Sequence, residues 1–350
     1  MSVEDVIQRY GKANPALDAP EGQFVRGTST LVDLESGTAR LQWVKTDHKR
    51  QTLIDDFRAA VGEILEPLRG MIAPMPLDAN TVDELAAVVA IGDPHFGMYS
   101  WHEETGQDWD LDIAVRVHLA AFRSILDGVG PVARIHVMQV GDLSHADDET
   151  NRTRRSGHHL DTDGRRPKVL RTIVDTERHM IDMALDHADE VVVTNCKGNH
   201  DDETSYFVSL ALSLLYEREP RVRIETLPRI AHAYRWGRCM YAGTHGHTIK
   251  ATALGEVMAT EWPQDWGETR HRKWYTGHIH HKTVHELRGC TVESLNTLAA
   301  RDYYAASHAY NSARSMKADV WHCEAGIRRT LVETVDNIEA QHVARKAVEP

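Results

Sequence analysis

From about residue 85 the chain alternates short, continuous apolar runs with longer stretches in which apolar positions recur every three or four residues. "AAVVAI" (86–91), "ARIHVMQV" (133–140) and "EVVVTN" (190–195) are too short for helices and run straight into loops, the pattern of strands buried on both faces. Residues 111–127, 167–187 and 203–217 carry helical spacing between and after them. Strand, loop and helix in repetition is βαβ order and predicts an α/β sheet. After residue 220 strands dominate: "RVRIE", "IAHAYRW", "RCMYAG", "KWYTGH", "TVHEL", "CTVESL", "ADVWHCE" and "RRTLVETV". This order predicts a second, more antiparallel sheet packed on the first.

The pattern ahead of residue 83 is different. Residues 1–20 are polar, with Gly11, Pro15 and Pro20, and read as a loose lead-in. Two β-rich runs over 23–47 flank the turn-like "DLESGT" and suit a hairpin. A helix is expected over about 50–69, where Leu53, Phe57, Val61, Leu65 and Leu68 recur at helical spacing before Gly70. Pro74, Pro76 and "LDANTVDE" read as a linker. The expected division is therefore a lead-in (1–20), a hairpin-plus-helix extension (21–82), a main domain (83–340) and a tail (341–350).

Composition narrows the class. At 41% hydrophobic residues the chain can fill a core, and its apolar runs fall far short of the ~20 residues a membrane span needs. The N-terminus lacks a basic region followed by an apolar one, so no secretion is expected. Cys196, Cys239, Cys290 and Cys323 are scattered without a CxxC pair, as in a protein kept reduced. A cytoplasmic home and no membrane partner are expected. A formal net charge of -12 disfavours nonspecific coating of nucleic acid, whose affinity comes from Lys and Arg displacing counterions. A local basic channel and an acidic cation site both remain compatible with that charge.

The chemistry concentrates where the apolar strands end, the place at which open α/β sheets bind ligands. The first ends in Asp93 and His95, the second in Asp142 and His145, the third in Asn199, His200 and Asp201. "MYAGTHGH" adds His245 and His247, and "GHIHH" adds His278, His280 and His281. Carboxylate, imidazole and amide donors without thiolates suit divalent first-row ions and argue against a structural zinc site. Two such ions about 3.5–4 Å apart can share a carboxylate and clamp both oxygens of a phosphoryl transfer.

Each fragment alone is weak, since DxH and GD recur by chance. In order, "GDPHFG", "GDLSH", "GNHD", "THGH" and "GHIHH" resemble the signature of the calcineurin-like metallophosphoesterases over residues 85–300. The resemblance implies a four-layer αββα sandwich, two mixed sheets flanked by helices, here with a small N-terminal extension. It implies two divalent metal ions, Mn²⁺ first and Fe²⁺, Zn²⁺ or Mg²⁺ as alternatives. Asp93, His95, Asp142 and His280 would hold one ion and Asp142, Asn199, His245 and His278 the other, with Asp142 as the bridge. His200 matches the family histidine that faces the scissile phosphate, and Asp201 would orient His200 or a ligand. The "GDxxH" form resembles SbcD-type DNA repair exonucleases and gives His145 a part in positioning the phosphate. As an extended segment, 278–281 would aim His278 and His280 together and His281 elsewhere, as a rim residue.

The wider chain, including "RGTSTLVDL" and "QWVKTD", also resembles metallophosphoesterases of tailed bacteriophages and prophages, which places it in a bacterial or phage-infected cell. Some of those carry a helix-turn-helix before the hairpin; residues 1–20 are too short and proline-interrupted for one.

The remaining candidates are substrate contacts. The polar segment 146–168 holds Arg152, Arg154, Arg155, Arg165, Arg166 and Lys168, either a basic rim for a phosphodiester or a solvated loop. "WGETRHRK" (266–273) carries the same two readings, and Arg301, His247 and His281 are weaker candidates. His118, His179, His285, His322, Trp236, Trp274 and Trp321 read as packing, surface or strand residues. The expected function is hydrolysis of a phosphodiester by a metal-bridging hydroxide, on DNA or RNA first. The alternative is a small or cyclic nucleotide. A protein phosphatase is disfavoured because "GDxVDRG" is absent at 141–147, and a non-catalytic scaffold because no ligand is missing. Self-association stays open.

Overall fold

The structure is a computed structural model in which residues 23–33, 39–48, 66, 69–77, 80–153 and 157–348 are described. The chain divides into two compact units, Met1–Pro67 and Leu68–Pro350. In the first, β1 (Gln23–Val32) and β2 (Ala39–His48) pair antiparallel as a two-stranded ribbon with register shifts between Val25 and Gly27 and between Leu31 and Val32. Most of the helix expected over 50–69 lies outside the described residues.

In the second unit β3 (Leu85–Ile91), β4 (Val132–Gln139), β5 (Ala188–Asn195) and β6 (Val222–Ile224) run parallel. The connections supply α1 (Leu111–Val129), α2 (Arg166–Leu185) and α3 (Thr204–Leu215). The second sheet has the order β10-β11-β9-β8-β7 and is built from β7 (Ala231–Trp236), β8 (Cys239–Thr244), β9 (His271–Thr276), β10 (Thr283–Leu287) and β11 (Cys290–Ser294). The last two strands, β12 (Ser315–His322) and β13 (Gly326–Thr334), return to the first sheet, β12 pairing antiparallel with β3.

Both sheets are thus mixed, and the second is the more antiparallel only by a small margin: two of its four pairings are antiparallel against two of five in the first, and β8, β9 and β11 are parallel. The late runs "RVRIE", "ADVWHCE" and "RRTLVETV" overlap β6, β12 and β13, which join the first sheet instead. Strand order along the chain does not report which sheet a strand enters.

The continuous apolar runs have a direct cause. Ala87, Val89 and Ile91 face the helical layer, where they meet residues of α1 and α2 such as Phe122 and Ile181. Val88 and Ala90 face the second sheet, where Tyr241, Tyr275 and Trp321 fill the space. Val191 and Val193 are likewise turned from Val192. Burial on both faces leaves no polar alternation, and each fully buried valine contributes roughly 1.5–3 kcal/mol of transfer free energy. The outer face of the second sheet is covered by α4 (Leu254–Glu261) and α5 (Pro263–Glu268), through Leu254, Met258, Trp262 and Trp266 packed on Met240, Ala242 and Trp274. A C-terminal helix, α6 (Val335–Val348), adds Val335 and Ile338 to the helical layer of the first sheet. These are the four layers, helix, sheet, sheet, helix. Trp274 and Trp321 are core residues, and His118 is a buried packing residue whose Nδ1 bonds the Ala114 carbonyl at 2.8 Å.

Candidate metal centre

The parallel strands of each sheet end together, and their loops meet. Asp93 and His95 follow β3, Asp142 and His145 follow β4, and Asn199 follows β5; His245 follows β8, and His278 and His280 follow β9. The first two loops are stitched by backbone bonds from His95 N to Asp142 O and from Phe96 N to Leu143 O, each 2.9 Å. Asp93, His95, Asp142, His278 and His280 all have positive φ, between 42° and 72°. A left-handed backbone at a non-glycine residue costs about 1–3 kcal/mol and survives where the surroundings hold it. Here five candidate ligands carry that cost together.

This geometry corrects one expectation. Residues 278–281 are not an extended continuation of β9, which ends at Thr276. Their left-handed turns send His278 and His280 to different partners, where period-two alternation would have aimed them alike.

Two carboxylate-bearing donor groups result, beside a third made of the imidazoles of His95, His145 and His200. Ring nitrogens of His95 and His280 approach to 3.1 Å, and His280 Nε2 lies 3.5 Å from Asp93 Oδ1. One donor atom from each of Asp93, His95 and His280 falls within 4.8 Å of the others, and the same holds for Asp142, His245 and His278. His245 Nε2 also lies 3.0 Å from Asn199 Oδ1. Asp142 sits between the groups, its Oδ2 3.1 Å from His245 Nε2 and 3.9 Å from His95 Nε2. His245 Nδ1 donates to the Val140 carbonyl at 3.0 Å, which turns Nε2 toward the donors.

The donors fit cations. Asp93 is fully buried, and its Oδ2 has no hydrogen-bond partner among the described residues. An orphaned buried carboxylate oxygen is costly unless a positive charge meets it. Burial, opposed by His280 and His245 and assisted by Asp142, pushes the Asp93 carboxyl up. Burial would do the same to Asp142, but His245 outweighs it and holds Asp142 well below the usual carboxylate range. Burial depresses His245, yet Asp142 and Asp93 carry it to about 9. Burial, then His200 and His280, holds His95 well below its ordinary value, and burial, then His245, holds His278 at about 4. Neutral imidazoles and ionised carboxylates are the forms that bind divalent ions, so Asp142, His95 and His278 are shifted toward binding, while Asp93 and His245 are shifted the other way and would give up protons to a cation.

Two glycines allow this closeness. A Cβ on Gly198 would stand 2.0 Å from Asp142 Oδ1, and one on Gly277 would stand 2.5 Å from Asp93 Oδ2.

The other candidates separate. His200 lines the cavity above the donors; its Nδ1 donates to the His145 carbonyl at 2.8 Å, leaving Nε2 as the free ring nitrogen. Its backbone N–H donates to Asp142 Oδ1 at 2.9 Å. His145 stacks on His200 with ring centroids 5.5 Å apart and meets His95 Nδ1 at 3.2 Å. Burial and His200 hold His145 at about 3, so it is neutral, and its buried Nε2 has no partner among the described residues. Asp201 does not face the cavity: it accepts the backbone N–H groups of Leu143 at 2.6 Å, Gly198 at 2.9 Å and Asp142 at 3.2 Å. It therefore positions the ligand loops and makes no side-chain bond to His200.

Of the substrate candidates, Arg154 and Arg155 lie outside the described residues. Arg152 is exposed and bonds the Gly157 carbonyl, while Arg165 and Lys168 are exposed at the start of α2. Arg166 is a tie within the fold, donating to the Ala146 carbonyl and Thr204 Oγ1, each at 2.7 Å. The segment 266–273 is likewise structural at Arg272, stacked on Trp266 at 4.0 Å, and at Lys273, paired with Asp319 at 2.6 Å. His247 lies with its ring 5.2 Å from His245, and His281 is exposed at the cavity, its Nδ1 bonding the Ile279 carbonyl. His285 is exposed on β10, apart from the donors.

His95, Asp142, Asn199, His278 and His280 line a cavity of about 750 Å³ whose wall also includes much of 297–314. Arg301 lines it while donating to the Thr105 carbonyl at 2.6 Å. Tyr304 and Tyr310 line it too and are residues the sequence reading passed over. One signal was available: "YYAASHAY" (303–310) places three of the chain's 10 tyrosines in one polar segment.

No family model matches the chain, and no curated protein matches it. Solved structures similar to it include wild-type Vps29 complexed with Zn²⁺ from Entamoeba histolytica, at 15% identity, TM-score 0.29, and coverage of 72% of this chain and 98% of that one. A single mutant of the same protein gives 13% identity, TM-score 0.30, and coverage of 71% and 98%. A conserved uncharacterized protein from Streptococcus pneumoniae, described as a predicted phosphoesterase, gives 10% identity, TM-score 0.28, and coverage of 71% and 98%.

Proposed function

We propose that this chain is a two-metal phosphodiesterase acting on nucleic acid. The observation that carries the reading is the convergence of Asp93, His95, Asp142, Asn199, His245, His278 and His280, with His95, Asp142, Asn199, His278 and His280 lining one cavity, Asp93 and His245 buried behind them, and Asp142 between the carboxylate-bearing groups. Asp93, His95, Asp142 and His280 would hold one divalent ion, Mn²⁺ first among the alternatives, and Asp142, Asn199, His245 and His278 the other. When bound, such a pair polarises a phosphoryl centre and makes water nucleophilic at neutral pH.

The protein's own groups do the rest. His200, anchored through Nδ1, presents Nε2 to the cavity and can hold a proton there for the leaving oxygen. His145 keeps His200 in place by stacking and through its backbone carbonyl. Asp201 fixes the loops that carry Asp142 and Asn199. Of the segment 146–168, His158 comes near the cavity, its ring 6.2 Å from Tyr304, and the exposed Arg152 on the same segment would lend positive charge toward a phosphodiester. A second reading, hydrolysis of small or cyclic nucleotides, is favoured by the cavity volume, which falls in the range of small-ligand sites.

With Mn²⁺, the wild type is expected to hydrolyse bis(p-nitrophenyl) phosphate. Asp142→Ala and Asn199→Ala should abolish turnover and weaken Mn²⁺ binding. His200→Ala should still bind Mn²⁺ and lose about 10²–10⁴-fold in kcat. Undiminished turnover in Asp142→Ala refutes the proposal. Release of nucleotides from single-stranded DNA, duplex DNA, RNA and cyclic nucleotides by the same enzyme separates the two readings.

A further inference from the structure

The wall opposite the metal donors ends in an aromatic rim. Tyr304 and Tyr310 line the cavity and are 50% and 58% exposed. His308 lies between them, its ring 4.3 Å from Tyr304 and 5.7 Å from Tyr310, nearly parallel to the latter. The rim is held from below. Asp302 Oδ1 caps the short helix Tyr303–Ser307 by accepting Ala305 N at 2.7 Å. Arg314 closes the segment by donating to the Leu298 carbonyl at 2.6 Å and lying over Trp109 at 4.9 Å. Ala309, between His308 and Tyr310, has φ of 55°, a conformation its methyl side chain does nothing to stabilise.

Core packing does not require this arrangement, since the tyrosine rings are exposed and the turn that presents them is strained. A flat ligand does explain it. Among groups attached to a phosphodiester, a nucleobase is the flat one, and an unstacked base gains by lying on an aromatic ring. A duplex, with its bases already stacked, gains nothing from the rim.

We propose that Tyr304 and Tyr310 form a stacking site for the nucleobase next to the scissile phosphate, selecting mononucleotide diesters and single-stranded ends over base-free diesters. The proposal rests on the phosphodiesterase reading for its substrate class and adds the two tyrosines as specificity residues.

The test compares esters with one leaving group: the 3′ and 5′ p-nitrophenyl esters of thymidine monophosphate against methyl p-nitrophenyl phosphate, with Mn²⁺-loaded full-length protein. The better thymidine ester should exceed the methyl ester in kcat/KM. Tyr304→Leu with Tyr310→Leu should cut that ratio roughly ten-fold, through KM more than kcat, and Tyr304→Phe with Tyr310→Phe should restore it. An unchanged ratio in the leucine variant, or no thymidine preference in the wild type, overturns the proposal. Calorimetric binding of thymidine 5′-monophosphate against 2-deoxyribose 5-phosphate gives a readout free of turnover. If no ester is hydrolysed, the phosphodiesterase reading falls; the stacking site then stands only if the thymidine nucleotide still binds tighter and the leucine variant loses the difference.

Discussion

Asp142 shows what the site asks of one residue. Its carboxylate lies between two donor groups, its backbone has φ of 51°, and its neighbour across the loop is Gly198, where a Cβ would stand 2.0 Å from Oδ1. Gly198→Ala must therefore displace a carboxylate that lies between the two donor groups, on a loop that Asp201 holds in place. We expect a loss of roughly 1–3 kcal/mol in stability from this overpacking, read by urea unfolding. Mn²⁺ affinity should fall by at least about ten-fold, in the range seen when groups supporting a ligand are lost, read by calorimetric titration. Asp201→Asn probes the same loops from the other side: one oxygen that accepts backbone N–H groups becomes a donor facing them, at a cost of about 1–3 kcal/mol. At this scale the sequence was informative, because residue types suited to metals stand directly after apolar strands. Left-handed backbone at His278 and His280 was not legible, since no residue type announces it except glycine and, weakly, asparagine and aspartate.

Helices and strands of the first sheet were legible for the same reason that they are stable: burial on both faces keeps β3 and the centres of β4 and β5 mainly apolar, His136 and Thr194 meeting each other at 2.8 Å where they are not, while α1 and α2 keep a wet face and a helical period. An exception to that apolar rule offers a test. Glu177 of α2 is 5% exposed and its Oε2 accepts Asn195 Nδ2 at 2.8 Å, at the end of β5. Burial pushes its carboxyl from 4.5 up to about 7, against the smaller pull of Asn195. A raised carboxyl favours the neutral folded form, so its contribution is complete below about pH 4.5 and is lost as pH rises through about 7. A shift of this size corresponds to about 3 kcal/mol. Glu177→Gln keeps an oxygen for Asn195 and cannot ionise. Its stability should exceed that of the wild type by a few kcal/mol at pH 8 and match it near pH 4, as read by urea midpoints at the two values. The return of β12 and β13 to the first sheet was hidden from any local pattern, because adjacency of β12 to β3 is a contact across more than 200 residues. The aromatic wall was hidden with it, since residues 297–314 connect β11 to β12 and are tied across more than 200 residues to the loop after β3, Thr297 donating to the Asp93 carbonyl at 2.6 Å.

The two sheets of the main unit must hold their register if loops from both are to meet at one cavity. Besides the apolar layer of Tyr241, Tyr275 and Trp321, a buried charge cluster spans the gap. Lys273 on β9 donates to Asp319 on β12 at 2.6 Å and pairs with Glu293 on β11 at 2.5 Å. Lys317 on β12 reaches back to Glu293 at 2.8 Å, and Tyr275 and Thr330 donate to Asp319 at 2.7 and 2.6 Å. Two buried cations balance two buried carboxylates, with the exposed Lys282 reaching Glu293 from the rim at 3.9 Å, and β9 leads from the cluster to His278 within two residues of its end. Burial would raise Asp319 and Glu293, but Lys273, helped by Lys317, outweighs it and holds both below their ordinary values. Carboxyls so depressed contribute stability that is complete above their unfolded values of 3.8 and 4.5 and is lost as pH falls through the folded ones. Asp319→Asn removes one anion and leaves Lys273 in excess inside the sandwich. Breaking a buried pair in this way costs about 3–5 kcal/mol, so the variant should unfold at markedly lower urea at pH 7. It should also lose less than the wild type on acidification below about pH 4, having one depressed carboxyl fewer to protonate. Equal urea midpoints at pH 7 would mean that the apolar layer alone sets how the sheets stack. A lowered midpoint together with weakened Mn²⁺ binding would show that the cluster holds the second sheet's histidines against the first sheet's carboxylates.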